Sequence, residues 1–199
     1  MWILYAFGSA FFAGLTAVLA KCGIEHTNSH LATALRTIVV LIFSWIMVGI
    51  VGSFDTIHTI THKTFLFLIL SGISTGASWL CYFKALQLGN INKVTAVDKT
   101  SVVLTIILSL IFFKESVTVY KILGMIILTA GTYLMVEKKE DNKQTSNAWL
   151  LYVVLSVVFA SLTTILGKIG ITNIESNLGT AIRTSIVLIM SWIVVFVTH

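Results

Sequence analysis

No proline occurs anywhere in the 199 residues, where about one in twenty would be usual. Bending of its helices therefore falls to glycine or to Ser and Thr hydroxyls that bond back to the backbone. Cysteine is nearly missing as well: Cys22 and Cys81 are the two in the chain, too few for a disulfide framework. Charge is the third shortage. Asp, Glu, Lys and Arg make up 11% of the chain, against about 25% in soluble globular domains, which excludes that class. Glycine-rich phosphate loops, H-E-x-x-H and nucleophile–base arrangements are also missing, so neither enzymatic activity nor a cofactor is expected.

What is present is apolar. Residues AVILMFWYC reach 57%, and the mean hydropathy is +0.97. Stretches long enough to cross a bilayer, about 20 residues each, fall at roughly 2–21, 31–51, 64–83, 93–113, 118–136, 149–167 and 178–198. The expectation is an all-α integral membrane protein of about seven transmembrane helices. Segment 137–148, EKKEDNKQTSNA, is the one extended polar stretch and reads as a linker. The first span lacks the basic flank of a signal peptide. The net charge of +5 sits at span ends, where Lys and Arg snorkel to the interface, and does not point to nucleic acid.

Residues 2–47 return without gaps at 149–194, identical at 24 of 46 positions, against about one in ten by chance. Two residues 147 apart are therefore counterparts. Copy two has Ile169 where copy one has Cys22, so that thiol reads as packing material. The expected organisation is a first unit over 1–136 with five spans, a linker over 137–148, and a partial second repeat over 149–199 with two spans. Five is odd, so the second copy enters the membrane from the opposite face, the pattern of inverted-repeat transporters. With Met1 on side A, that side holds Lys63, Lys114, Lys121, Lys168 and Arg183. Side B holds Lys21, Arg36, Lys84, Lys93, Lys99, Lys138, Lys139 and Lys143. Five against eight is a weak bias, and orientation stays open.

Charges inside spans are costly and mark function or structural pairing. Arg36 and Asp98 lie at equal depth, about 8 Å below side B at 1.5 Å per residue, and are expected to face each other, with Lys99 turned to a cavity or to the interface. A structural lock between two helices competes with a substrate or proton site there. Arg183, the counterpart of Arg36, is expected to find its counter-charge on another polypeptide or on lipid headgroups. In the third span, Gly72 and Gly76 lie four apart beside Ser74, Thr75 and Ser78, a small face for close helix contact or hinging. Trp79 and Tyr82 follow one turn on, as pocket walls or as ordinary packing. Ser9, Ala13 and Ala17 repeat that small spacing in the first span. The pairs His26/His30 and His58/His62 sit in loops on opposite faces, and copy two has Asn173 and Asn177 in place of the first pair, so no metal site is expected.

The strings AVLAKCGI, LATALRT, SGISTGASWLCYFKALQLG, KVTAVDKTSVVL and FFKESVTVYKILGMIILTAGTYLM resemble the EamA-like branch of the drug/metabolite transporter superfamily, in its small bacterial and archaeal five-span form. They cover residues 2–136, and copy two matches the first two spans again. The resemblance implies antiparallel five-span bundles, fused or made from two chains, around a central cavity in a prokaryotic plasma membrane. It also implies alternating access for small organic solutes, often as proton- or gradient-coupled export, with a homodimer or a pairing with another EamA-like chain. By position it points to Arg36, Trp79, Tyr82, Lys84, Asp98, Lys99, Ser101 and Glu115. Such proteins usually carry proline just before the aspartate, where this chain has Ala96, and seven spans match neither the five- nor the ten-span form. The competing expectation is an inert remnant of a ten-span transporter.

Overall fold

The structure, a computed structural model, describes residues 2–24, 28–114, 118–135, 148–171 and 174–198. His26, Glu115, Asn173 and nearly all of the linker lie outside the described residues. The described helices are α1 (Trp2–Ile24), α2 (Ser29–Val51), α3 (His62–Leu88), α4 (Ile91–Phe113), α5 (Val119–Met135), α6 (Ala148–Gly170) and α7 (Ser176–Thr198), with a 3-10 segment at Ser53–Thr59. Six are long and apolar enough to cross a membrane, and the shorter α5 is apolar too. The chain is an all-α integral membrane protein of about seven helices.

Local chemistry sets the helix ends. Asn28 caps α2 by accepting from the His30 N–H at 2.9 Å, and Asn90 caps α4 by accepting from the Asn92 N–H at 2.9 Å. Gly52, at φ +74°, ends α2 in the left-handed region that glycine adopts without strain. Before α7, Glu175 stands at the counterpart position of Asn28. Its carboxylate accepts from the backbone N–H of Asn177 at 2.8 Å and of Leu178 at 3.1 Å, and from Ser53 Oγ at 2.8 Å. Hydroxyl back-bonding repeats between the copies: Thr33 and Thr37 donate to the carbonyls of Ser29 and Thr33, as Thr180 and Thr184 do to Ser176 and Thr180. This satisfies polar side chains inside lipid without a partner helix.

Helix α3 is the hub. Helix α6 docks on α3 and α4, and α7 docks on α2 and α3. Small residues let the backbones approach. A methyl group on Gly72 would lie 2.9 Å from Ile186 Cβ and 3.0 Å from the Arg183 carbonyl oxygen, and one on Gly76 would lie 2.7 Å from Met190 Sδ. Hydroxyls tie α6 in place: Ser71 donates to the Thr163 carbonyl at 2.9 Å, Ser78 to the Ser156 carbonyl at 3.1 Å, and Ser161 to the Ser101 carbonyl at 3.1 Å. Helix association in lipid gains nothing from hydrophobic burial, so such packing and bonds of about 0.6 kcal/mol each supply the stability.

Contacts at the two ends fix direction. The Lys21 ammonium, at the end of α1, donates to the carbonyls of Leu86 and, at 3.1 Å, Gly89, where α3 ends. Trp149, at the start of α6, packs on Gly89. At the other end Gly170 abuts Leu68, and Lys168 lies 4.4 Å from the Phe113 ring centroid. Helices α1 and α6 therefore run antiparallel. Their surroundings differ as well. On α6, Val153, Ser156, Val157, Ser161, Ile165 and Gly170 are buried. Their counterparts on α1, namely Ala6, Ser9, Ala10, Gly14, Val18 and Gly23, are exposed.

Candidate functional site

A cavity of about 240 Å³ lies between α1, α2, α3, α4 and α6. Helix α1 lends it Ala13, Thr16, Ala17 and Ala20, small side chains that leave room. Arg36 comes from α2, and Ser78, Trp79, Tyr82 and Phe83 from α3. Asp98 and Lys99 come from α4, and Ser156 and Ala160 from α6. Ala13 and Ala160 are counterparts 147 residues apart, so the cavity sits between the two copies of one helix.

Arg36 meets aromatic faces rather than a carboxylate. Its Cζ lies 4.5 Å from the Trp79 ring centroid and 5.5 Å from that of Phe83, a cation–π arrangement that the planar guanidinium favours. Tyr82 and Phe83 meet edge to face with centroids 5.9 Å apart, and the Tyr82 hydroxyl lies 3.5 Å from Thr95 Oγ1. Asp98 Oδ1 accepts from Ser156 Oγ at 3.1 Å, and Ser156 Oγ lies 3.2 Å from Ser78 Oγ. Among the described residues no ion pair within 4.0 Å joins Arg36 or Lys99 to Asp98.

Of the residues singled out in the sequence, Arg36, Ser78, Trp79, Tyr82, Asp98 and Lys99 share this cavity, with Ala13 and Ala17 of α1. The expected Arg36–Asp98 pairing is corrected: equal depth set the level of the two groups but not their direction around each helix, and Trp79 holds the guanidinium aside. Ser101 does not border the cavity; its carbonyl serves α6 instead. Lys84 lies outside it and donates to Gln87 Oε1 at 3.0 Å. Gly72 and Gly76 lie against α7. Helix α4 runs unbroken past Ala96. Arg183 meets no carboxylate among the described residues. Its Nη1 lies 3.5 Å from Ser71 Oγ, in space left by Gly167, where a methyl group would come within 3.1 Å of that nitrogen.

Ser156 was not singled out from sequence, although it is the hydroxyl that holds Asp98. Its signal was available: Ser156 and Ala160 repeat the Ser9 and Ala13 spacing of the first span.

A membrane-buried cavity holding charged groups, walled by helices of a duplicated unit, is the architecture of a small-solute transporter. The chain belongs to the EamA-like transporter family, whose profile matches residues 1–137. It is also 42% identical over 134 residues to a Sinorhizobium protein named as an uncharacterized transporter in the cobO 3′ region, a match spanning 67% of this chain and 95% of that one. No solved structure matches it significantly.

Proposed function

We propose that this chain is a secondary transporter that exports a small organic metabolite or drug-like solute across a prokaryotic plasma membrane by alternating access. The observation that carries the reading is the cavity itself. A guanidinium, an ammonium and a carboxylate line one pocket within the spans without pairing to one another. Charges kept apart in lipid are costly, and a solute that pairs with them offsets that cost. Asp98 serves as the coupling carboxylate, Arg36 and Lys99 as solute ligands, and Trp79 and Tyr82 as apolar walls.

The organisation we propose is a bundle over 1–136, a linker over 137–148, and an inverted partial repeat over 149–199; the antiparallel run of α1 and α6 supports it. The side of α1 that carries Ser9, Ala10 and Gly14 is exposed, while its counterpart on α6 is covered by α3 and α4, which supports assembly with a second copy or another EamA-like chain. The competing reading, an inert remnant, is disfavoured because α6 supplies the hydroxyl that holds Asp98.

The test is efflux from an exporter-deficient bacterial host, scored across a panel of toxic metabolite analogues and dyes at several external pH values. Expression of the chain should protect against at least one compound, and Asp98→Asn should abolish that protection. Protection by the variant that is unchanged at every pH would remove Asp98 from the mechanism; no protection against any compound would favour the inert remnant.

A further inference from the structure

A second cavity, of about 400 Å³, adjoins the first and lies between α1 and α2. Its walls are Leu19 and Gly23 on α1 and Ala32 and Leu35 on α2. Leu19 is 62% and Leu35 49% exposed, so this cleft is open on the outer side of the bundle, between two helices apolar enough to cross a membrane. Thr16, Ala20, Arg36 and Phe83 line both cavities; they form the partition between cleft and central pocket.

Two polar side chains reach the cleft. The Thr16 hydroxyl is already committed to the Phe12 carbonyl at 2.7 Å. Arg36 is therefore the group left to recognise a ligand, about 10 Å along α2 from its start at Ser29. Its aromatic contacts leave the donor edge of the guanidinium without an acceptor among the described residues, and that planar fork matches a carboxylate. Charge arithmetic agrees. Arg36 and Lys99 against Asp98 leave one net positive charge around the paired cavities, which a monoanion would neutralise and a cation would worsen.

We propose that the α1–α2 cleft is a lateral portal and binding site for a single-chain organic carboxylate partitioned in the bilayer. The apolar tail lies between Leu19 and Leu35, and the carboxylate docks on Arg36. This assignment rests on the transporter reading for its route and deepens it by naming the solute class; the binding itself needs no transport.

The experiment uses the full chain in phosphatidylcholine vesicles with a medium-chain fatty acid bearing a diazirine on its tail, and the matched alcohol as control. Labelled residues are read by mass spectrometry. The acid should label the 16–23 and 32–35 segments about tenfold more than the alcohol does, the discrimination expected of a charge-assisted hydrogen bond. Arg36→Gln should erase that difference. Gly23→Phe, which fills the cleft at a position with no neighbour within 4 Å and outside the central cavity, should lower labelling by the acid while leaving the fold intact. Equal labelling by acid and alcohol, or a preference that survives Arg36→Gln, overturns the proposal. So does loss of labelling when a trace of phosphatidylglycerol is added, which would give the cleft to a lipid headgroup. Efflux without cleft labelling would sink the portal alone, whereas cleft labelling without any efflux would sink the transporter reading and leave the carboxylate site standing.

Discussion

Replacing Gly72 by alanine tests the packing that fixes the hub of the bundle. The added methyl would meet Ile186 Cβ at 2.9 Å and the Arg183 carbonyl oxygen at 3.0 Å. One neighbour is the branch point of a stiff side chain and the other is backbone, so neither can move aside without shifting α7. Overpacking of this kind costs about 1–3 kcal/mol. Against it stands the better helix propensity of alanine, up to about 1 kcal/mol, leaving a net loss of about 1–2 kcal/mol. Gly14→Ala is the matched control, because nothing lies within 4 Å of a methyl there and only the propensity gain remains. Thermal unfolding in detergent should therefore place the Gly72 variant about 2–8 °C below wild type for a chain of this size. The Gly14 variant should be level with wild type or slightly above it. Gly76→Ala should fall between them, since its clash at 2.7 Å is with the Met190 sulfur, the movable end of a flexible side chain. A Gly72 variant as stable as wild type, or a Gly14 variant as weak as the Gly72 one, would refute the docking of α7 on α3.

Ser156→Ala should weaken the docking of α6 by about 1 kcal/mol and lower transport, whereas the counterpart change Ser9→Ala should leave both as they are; unfolding and efflux of the two variants, measured side by side, would decide. The Glu175 carboxyl is held below its ordinary range, first by the Asn177 backbone N–H, with the Ser53 hydroxyl and the Leu178 N–H also contributing. A lowered folded-state pKa stabilises above the unfolded value and ceases to as pH falls through the folded one. Glu175→Ala should thus cost about 1 kcal/mol at neutral pH, and the gap in unfolding midpoint from wild type should close below about pH 4; a gap constant with pH would show that the carboxylate charge does not matter. Lys21→Met removes the ammonium that holds the last carbonyls of α3, so hydrogen exchange in the last turns of α1 and α3 should quicken, and unchanged exchange would mean that α1 is held elsewhere.

Much of the helix layout was legible because the hydrocarbon core demands long apolar runs regardless of fold. The errors lie where polar chemistry extends a helix past its apolar run. Helix α3 continues through Lys84 and Gln87 to Leu88, beyond the stretch that hydropathy marks, and α2 begins at Ser29 because Asn28 caps it. In the cavity, the depths of Arg36 and Asp98 could be counted along the spans, but their directions could not. Whether a guanidinium turns to a carboxylate or to an indole depends on helix rotation, which spacing within one span does not reveal. Ser156 was harder to find. Lipid is as apolar as leucine, so a helix face covered by protein carries no hydrophobic stripe to mark it, and the covered face of α6 looks in sequence much like the bare face of α1.

That likeness makes the protein its own reference. Helices α1 and α6 share a duplicated sequence, yet one leaves Ser9, Gly14 and Val18 exposed while the other seats their counterparts Ser156, Ser161 and Ile165 on neighbouring helices. Each pair of counterparts, such as Gly14 with Ser161 or Val18 with Ile165, poses one chemical substitution in two media. A paired mutational scan along these helices would separate the cost of a side chain against protein from its cost against lipid, with chain and membrane held constant. It would also show how far one duplicated helix is freed to drift while its twin is constrained.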